Sequence, residues 1–127
     1  MGIHNGKTTI LFVDDNQTVL SVGSLIIQRS GYEVLQATSG AEAIELFQNY
    51  IDDICLVILD EKLPDEPGSN TCKKLKEHKP DVKVLHTSGF GRAQGNESLN
   101  CGCNDFLEKP FRVEELSDKL KKMLEKT

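Results

Sequence analysis

Several marks of membrane, secreted and nucleic-acid-binding proteins are missing from this sequence. No apolar run approaches the length needed to cross a bilayer, and the polar start at residues 1–8 lacks the apolar stretch of a signal peptide. The net charge of −5 and the pI of about 5.2 argue against nucleic acid or an anionic membrane as a partner. These absences predict a cytoplasmic domain that docks on proteins and binds cations.

Cysteine motifs typical of zinc and thioredoxin-like sites are also missing. The four cysteines are Cys55, Cys72, Cys101 and Cys103. Cys101 and Cys103 form a C-x-C pair, not the C-x-x-C of those sites, and no histidine lies near them. The sequence therefore indicates ordinary thiols.

A nucleotide-binding enzyme of similar topology is an alternative that the motifs disfavour. Gly6-Lys7-Thr8 resembles the end of a P-loop, but Met1 stands where the first glycine belongs. The triplet also precedes the first predicted strand, whereas a P-loop follows its strand. No G-x-G-x-x-G follows that strand, and the acidic pair found there would repel the phosphate of a flavin or nucleotide.

Five apolar segments predict β-strands, and helical patterns separate most of them. The strands are predicted at residues 10–13, 33–37, 54–59, 82–86 and 106–107. The third, ICLVIL, is apolar throughout, which is typical of a strand covered on both faces of a parallel sheet. Helices are predicted at residues 18–29, 39–50, 69–78 and 113–125.

Two details support the predicted helix ends, whereas one further segment has a composition that disfavours a helix. Gly31 is a helix stop, while Ser39 and Glu42 have the spacing of a capping box. Residues 91–102 occupy the place of a further helix but are rich in glycine and asparagine, which predicts a short or mobile helix. The alternation predicts an α/β fold with a parallel sheet and helices on both faces.

Polar residues follow four of the five predicted strands. In chain order they are Asp14 and Asp15, then Asp60, then Thr87, Ser88 and Gly89, and finally Lys109. Ligands of open parallel sheets bind beyond the carboxyl ends of the strands. We therefore expect these groups to meet at one edge of the sheet.

The grouped residues suit the transfer of a phosphoryl group. Three carboxylates repel each other, and a hard divalent cation, Mg²⁺ (or Mn²⁺), relieves that repulsion while keeping waters for an incoming phosphate. Lys109 adds a second positive charge, and a hydroxyl with the backbone N–H groups near Gly89 can hold further oxygens. A carboxylate can be the nucleophile, giving an acyl phosphate.

Each of these residues alone has a plainer interpretation. Asp14 and Asp15 could cap the following helix, Asp60 could be a solvated loop acid, and Lys109 a surface lysine. Ser88, followed by glycine, could be a turn residue. Their joint occurrence at strand ends favours the phosphoryl-transfer interpretation.

Four segments resemble the receiver domains of two-component response regulators. They are ILFVDDN, LVILDEKLPDEPG, VLHTSGF and DFLEKPF, and the likeness runs over residues 8–124. The resemblance implies a flavodoxin-like (βα)5 three-layer fold with strand order 2-1-3-4-5. It also implies a signalling phosphoacceptor, not an enzyme in the ordinary sense, although such domains assist their own phosphotransfer and dephosphorylation.

The resemblance assigns roles to particular positions. Asp60 is the implied phosphoacceptor, and the implied metal ligands are Asp14, Asp15, Asp60 and the backbone carbonyl of Lys62. Ser88 and Lys109 are the implied phosphoryl-binding side chains, and Lys109–Pro110 is often a cis peptide bond in such domains.

Further positions are implied to govern switching and phosphate lifetime. Ser88 and Phe106 take the switch positions, although Phe106 lacks the hydroxyl of the tyrosine often found there. Lys62 and Phe90 stand where the rate of phosphate loss is tuned, and their bulk predicts a longer-lived phosphoryl group.

The resemblance also suggests boundaries, partners and setting. Residues 1–8 are interpreted as a disordered lead-in and residues 9–126 as the receiver domain. The expected partner is a histidine kinase or a histidine phosphotransfer protein, and no downstream protein target is identified. The region SGFGRAQ to GCNDFLEKPF favours the receiver part of a hybrid sensor kinase over a free-standing regulator. A degenerate receiver used only for docking is the remaining alternative.

Overall fold

The computed structural model describes residues 9–89 and 103–124 of the chain. Within them lie five strands, β1 (Thr9–Val13), β2 (Glu33–Ala37), β3 (Ile54–Asp60), β4 (Val84–Ser88) and β5 (Asp105–Glu108). The helices of the same residues are α1 (Gln17–Arg29), α2 (Gly40–Asn49), α3 (Gly68–His78) and α4 (Val113–Leu124). The predicted helix at residues 91–102, the lead-in at residues 1–8 and the end at residues 125–127 lie outside the described part.

All five strands form one parallel sheet in the order β2-β1-β3-β4-β5. Helices α1 and α4 pack together on one face of the sheet, and α2 and α3 pack together on the other. The architecture therefore has three layers, and it confirms the predicted flavodoxin-like fold and strand order. No helix within the described residues is long and apolar enough to span a membrane.

The central strand β3 supplies both halves of the core. Leu56 and Ile58 pack in the cluster with α1 and α4, while Val57 and Leu59 pack in the cluster with α2 and α3. Successive side chains of a strand point to opposite faces, so a strand covered on both sides must be apolar throughout. Burying each such side chain stabilises the fold by about 1.5–3 kcal/mol relative to exposure.

Short polar side chains fix the helix ends near the site. The Oδ1 of Asn16 accepts a hydrogen bond from Val19 N at 3.1 Å and caps α1. The helix ends at Arg29, and Gly31 follows with φ of 98°, a left-handed conformation that favours glycine. The predicted glycine stop is therefore confirmed.

Of the two hydrogen bonds expected in the capping box of α2, one is confirmed and the other has a different donor. The Ser39 hydroxyl accepts from Glu42 N at 3.1 Å, as predicted. The Glu42 carboxylate accepts from Thr38 N at 2.8 Å, one residue before the expected partner Ser39 N. The helix end therefore also holds the end of β2 in place.

Three strands reach further toward the functional edge than predicted. Strand β3 includes Asp60, β4 covers Val84–Ser88 where residues 82–86 were predicted, and β5 ends at Glu108 where residue 107 was predicted. Parallel pairing continues to this edge, since Asp60 is in register with Thr87 and Ser88 with Glu108. Apolarity marks where a strand is buried, but backbone pairing decides where it ends, so Asp60 and Ser88 are final strand residues and do not follow their strands.

Candidate functional site

Three carboxylates converge at the carboxyl edge of the sheet. Asp14 and Asp15 directly follow β1, and Asp60 ends the neighbouring strand β3. One oxygen from each lies within 4.8 Å of the others. Asp14 is 1% exposed and Asp60 4% exposed, whereas Asp15 is open to solvent. The alternative role in helix capping falls to Asn16 instead, which leaves the acidic pair for this cluster.

Lys109 reaches the same cluster from the end of β5. Its Nζ lies 2.9 Å from Asp14 Oδ2 and 3.2 Å from Asp60 Oδ1. Its backbone N donates to Ser88 O at 2.8 Å, which continues the β4–β5 ladder, and the Lys109–Pro110 peptide bond is cis as the resemblance implied. One ammonium group therefore bridges two buried carboxylates.

Burial and neighbouring charge shift the pKa values of this group. Burial and the charge of Asp14 together raise the pKa of Asp60 to about 6, although Lys109 acts to lower it. For Lys109, burial acts to lower the pKa, but the hydrogen bond to Asp14 and the charges of Asp60 and Asp14 outweigh it and leave that pKa raised. At neutral pH Asp60 is therefore mostly ionised beside a charged Lys109.

The end of β4 provides hydroxyl and backbone groups. Thr87 Oγ1 donates to Asp60 Oδ1 over 3.4 Å, a contact that the sequence had not assigned. Ser88 is buried at the last position of β4, and its carbonyl holds Lys109. Gly89 is exposed, and a Cβ placed there would meet nothing within 4 Å. Backbone at Gly89 is thus open to an incoming group.

The loop from Glu61 to Gly68 is closely tied to its surroundings. The Asp65 carboxylate accepts from Gly40 N at 2.8 Å and Ala41 N at 2.9 Å, and these two hydrogen bonds lower the pKa of Asp65. At Gly68 a Cβ would lie 2.1 Å from Asp60 O, so α3 can begin against the Asp60 backbone only at a glycine. These contacts fix the chain directly after Asp60.

The structure places the remaining predicted residues less centrally. Lys62 is exposed in the loop, where its backbone forms an isolated antiparallel β-bridge with Pro67. Its carbonyl is one of the implied metal ligands. Phe106 is partly exposed on β5, in register with His86. Phe90 lies outside the described residues. The tuning role of Lys62 and Phe90 and the switch role of Phe106 stay predictions.

The donor set fits a hard divalent cation. Among the described residues, the acidic group with metal-binding spacing consists of Asp14, Asp15 and Asp60. Carboxylate oxygens are the ligands that such cations prefer, and Lys109 alone leaves this group net negative. The acidic cluster could therefore hold a metal ion.

Two buried polar residues beside this site were not assigned a role from the sequence. Glu61 follows Asp60 directly, and His86 lies two residues before Ser88. Both are buried, and they contact each other. The available signal was a histidine inside the otherwise apolar start of VLHTS, a strand that should be buried on both faces.

Comparison with known proteins gives consistent relatives. The family model "Response regulator receiver domain" matches residues 10–121. The chain is 32% identical to the sensor kinase CckA of Brucella abortus over 96% of its own length, which is 13% of that protein. It is 31% identical to the response regulator SaeR of Staphylococcus aureus over 92% of its own length, or 50% of that protein.

A solved structure shares both fold and sequence with the chain. The CheY-like response regulator receiver domain protein from Methanospirillum hungatei superposes with a TM-score of 0.86 at 29% identity, covering 93% of this chain and 94% of that one. Fold, site geometry and family match agree over nearly the whole chain. The chain belongs to the family of response regulator receiver domains.

Proposed function

We propose that this chain is a phosphoacceptor switch in which Asp60 receives a phosphoryl group beside a bound Mg²⁺ or Mn²⁺ ion. The observation that carries the proposal is the meeting of three carboxylates and Lys109 at one edge of the sheet. The proposed metal ligands are Asp14, Asp15, Asp60 and the Lys62 carbonyl. When bound, the cation neutralises negative charge on the carboxylates and on the phosphoryl oxygens.

The proposed transfer makes Asp60 the nucleophile. One Asp60 oxygen forms a bond to phosphorus while the bond from phosphorus to the imidazole nitrogen of a phosphohistidine breaks. The electron pair remains on that nitrogen, and because the other ring nitrogen of the phosphohistidine carries a proton, the imidazole leaves neutral while Asp60 becomes an acyl phosphate. Although its pKa is raised to about 6, Asp60 is still mostly ionised at neutral pH and can act as the nucleophile.

The surrounding residues position the transferred group. Lys109 already bridges Asp14 and Asp60, and its Nζ can turn one donor to a phosphoryl oxygen. The Ser88 hydroxyl and the Gly89 N–H are proposed to hold other oxygens. Such groups act by position and charge, as phosphoryl transfer requires.

Loss of the phosphoryl group resets the switch. Water attacks phosphorus, the bond to the Asp60 oxygen breaks, and inorganic phosphate leaves. We propose that Lys62 and Phe90 hinder this water, and that Ser88 and Phe106 carry the change to the β4–β5 face. The domain thus assists its own phosphorylation and dephosphorylation without turning over a separate substrate.

The proposed phosphodonor is a histidine kinase or a histidine phosphotransfer protein. The chain spans 13% of the sensor kinase and half of the response regulator described above. We propose residues 9–126 as the receiver unit. The likeness of the region from SGFGRAQ to GCNDFLEKPF to kinase-attached receivers favours a hybrid sensor kinase as its setting over a free-standing regulator.

The test is phosphorylation by acetyl phosphate, read by intact-mass spectrometry. We expect a phosphoryl adduct that requires Mg²⁺ and is lost in Asp60→Asn, which keeps the size of the side chain. Beryllofluoride binding in the presence of Mg²⁺ checks the site without a donor. A folded protein that neither gains the adduct nor binds beryllofluoride would instead be a docking module.

A further inference from the structure

A second buried polar pair lies directly beside the proposed phosphorylation site. His86 Nε2 lies 2.8 Å from Glu61 Oε1, and the two residues are 0% and 7% exposed. Because a carboxylate only accepts hydrogen bonds, His86 Nε2 carries the hydrogen in this contact. His86 Nδ1 is buried and has no hydrogen-bond partner among residues 9–89 and 103–124.

Glu61 joins three elements of the fold. Its Oε1 also accepts from Ser69 N at 3.1 Å, in the first turn of α3, where a negative charge is favoured by the helix dipole. Its backbone N donates to Thr87 O at 3.0 Å, and its carbonyl accepts from Gly68 N at 2.7 Å. One residue therefore ties the chain after Asp60 to β4 and to α3.

Stability alone does not account for this pair. Burying a carboxylate and an imidazole costs free energy, and apolar side chains of similar volume often stabilise a core at least as well. The position is informative, because Glu61 separates Asp60 from Lys62 and His86 lies two residues before Ser88. The pair connects the proposed metal site to the strand that bears the switch hydroxyl.

We propose that Glu61 and His86 are positioning residues for phosphorylation, acting through the hydrogen bond between them. The bond holds the backbone on both sides of Glu61, so that the Asp60 carboxylate and the Lys62 carbonyl are already placed for the cation. This inference rests on the proposed function of Asp60. Removing either partner lets the loop relax and weakens metal binding and phosphoryl transfer together.

The experiment compares removal of the hydrogen bond with its conservation. Glu61→Ala and His86→Leu remove one partner each, whereas Glu61→Gln keeps an acceptor and His86→Gln keeps a donor. Mg²⁺ affinity is measured by calorimetry and phosphorylation by acetyl phosphate, at a pH well above the pKa of Asp60. Val84→Ala, a buried truncation on β4, controls for lost stability alone, and thermal unfolding reports folding of every variant.

We expect both removals to weaken Mg²⁺ affinity and slow phosphorylation by about tenfold, the lower end of the effect of residues that orient metal ligands. Both glutamine variants should keep Mg²⁺ affinity and phosphorylation rate within about twofold of the unchanged protein. The double variant Glu61→Ala/His86→Leu should be no more impaired than the more impaired of the two single variants, because both substitutions remove the same hydrogen bond. Val84→Ala should lower the melting temperature and leave Mg²⁺ affinity unchanged.

Three results would overturn the inference. Folded Glu61→Ala and His86→Leu proteins with unchanged affinity and rate would make the pair merely structural. A Glu61→Gln protein as impaired as Glu61→Ala would assign the effect to charge and not to the hydrogen bond. If Glu61→Ala does not fold, His86→Leu and His86→Gln are compared instead, and equal Mg²⁺ affinity and phosphorylation rate in these two variants would contradict the inference. An unchanged protein that neither binds Mg²⁺ nor accepts phosphate would overturn the proposed function itself, and this inference with it.

Discussion

The loop from Glu61 to Gly68 and the edge strand β5 border the same site but are held in different ways. The loop is fixed by buried or backbone-directed hydrogen bonds to β4, α2 and α3. Among the described residues β5 pairs with β4 alone, and its residue Asp105 is anchored by Lys119 at 2.9 Å in an ion pair whose side chains are 33% and 26% exposed. Exposed pairs contribute about 0–1 kcal/mol, whereas hydrogen bonds to buried charged groups contribute about 1.5–3 kcal/mol.

This difference separates a rigid side of the site from an adaptable one. The loop directly follows Asp60, the proposed phosphoacceptor, and includes Lys62, whose carbonyl is a proposed metal ligand, so its geometry must be in place before the cation binds. Strand β5 carries Phe106, whose ring is partly exposed and can be rearranged at lower cost. We therefore expect substitutions in the loop to change stability and metal binding more than substitutions on β5.

The largest loss of stability is expected from Gly68→Ala. The new Cβ would meet Asp60 O at 2.1 Å, so the start of α3 must move away from the Asp60 backbone. We expect the free energy of unfolding in urea to fall by about 3 kcal/mol, as in an overpacked core. The matched control is Gly89→Ala, where nothing lies within 4 Å, and equal losses in the two variants would contradict the rigid-loop interpretation.

Mg²⁺ affinity should depend on pH through Asp60. Its pKa of about 6 means that a proton competes with the cation below that pH, so affinity should fall about tenfold per pH unit there and level off above about pH 7. In the metal-free protein the same raised pKa makes the folded state bind more protons, so the stability contributed by Asp60 is lost as pH rises from about 4 to 6. Both dependences should be absent in Asp60→Asn, as checked by calorimetry and urea unfolding.

Two substitutions should move the pKa of Asp60 in opposite directions. Asp14→Asn removes a repelling charge and should lower it, while Lys109→Met removes an attracting charge and should raise it. Titration of the Asp60 carboxyl carbon by NMR in metal-free protein measures both. If both substitutions shifted the pKa of Asp60 in the same direction, a change in its burial, and not the loss of a neighbouring charge, would be the cause.

Loss of the Asp65 cap should have a moderate effect. Asp65→Ala leaves Gly40 N and Ala41 N without their carboxylate partner, and we expect a loss of about 1 kcal/mol in unfolding free energy. The lowered pKa of Asp65 means that this contribution persists to a lower pH than an ordinary carboxylate would allow. The control is Asp52→Ala, at an exposed carboxylate. An equal loss of unfolding free energy in that variant would contradict the capping role of Asp65.

The smallest change is expected on β5. Phe106→Tyr adds a hydroxyl at the rim of a partly exposed ring, so unfolding free energy should stay within about 0.5 kcal/mol and Mg²⁺ affinity should not change. Urea unfolding and calorimetry check both quantities. A loss as large as that of Gly68→Ala would show that β5 is packed as tightly as the loop, and the contrast would disappear.

Much of the fold follows from local patterns in the sequence. The continuous apolarity of ICLVIL predicted a strand covered on both faces, and β3 is buried between two pairs of helices. Gly31 and Ser39 marked helix ends because a left-handed turn and a capping hydroxyl each depend on one residue type. Strand ends were less accurate, since pairing between neighbours extends β3 and β4 beyond their apolar residues.

The chemistry of the site was determined by the sequence, because the carboxyl ends of parallel strands must share an edge once the strand order is known. The sequence alone placed Asp14, Asp15, Asp60 and Lys109 there as strand-end residues. Only the tertiary structure decided that Lys109 bridges two of those carboxylates, that burial raises the pKa of Asp60, and that Glu61 pairs with His86. Such contacts join residues 25 to 95 positions apart, and their distances depend on how the strands and helices pack, which no local pattern encodes.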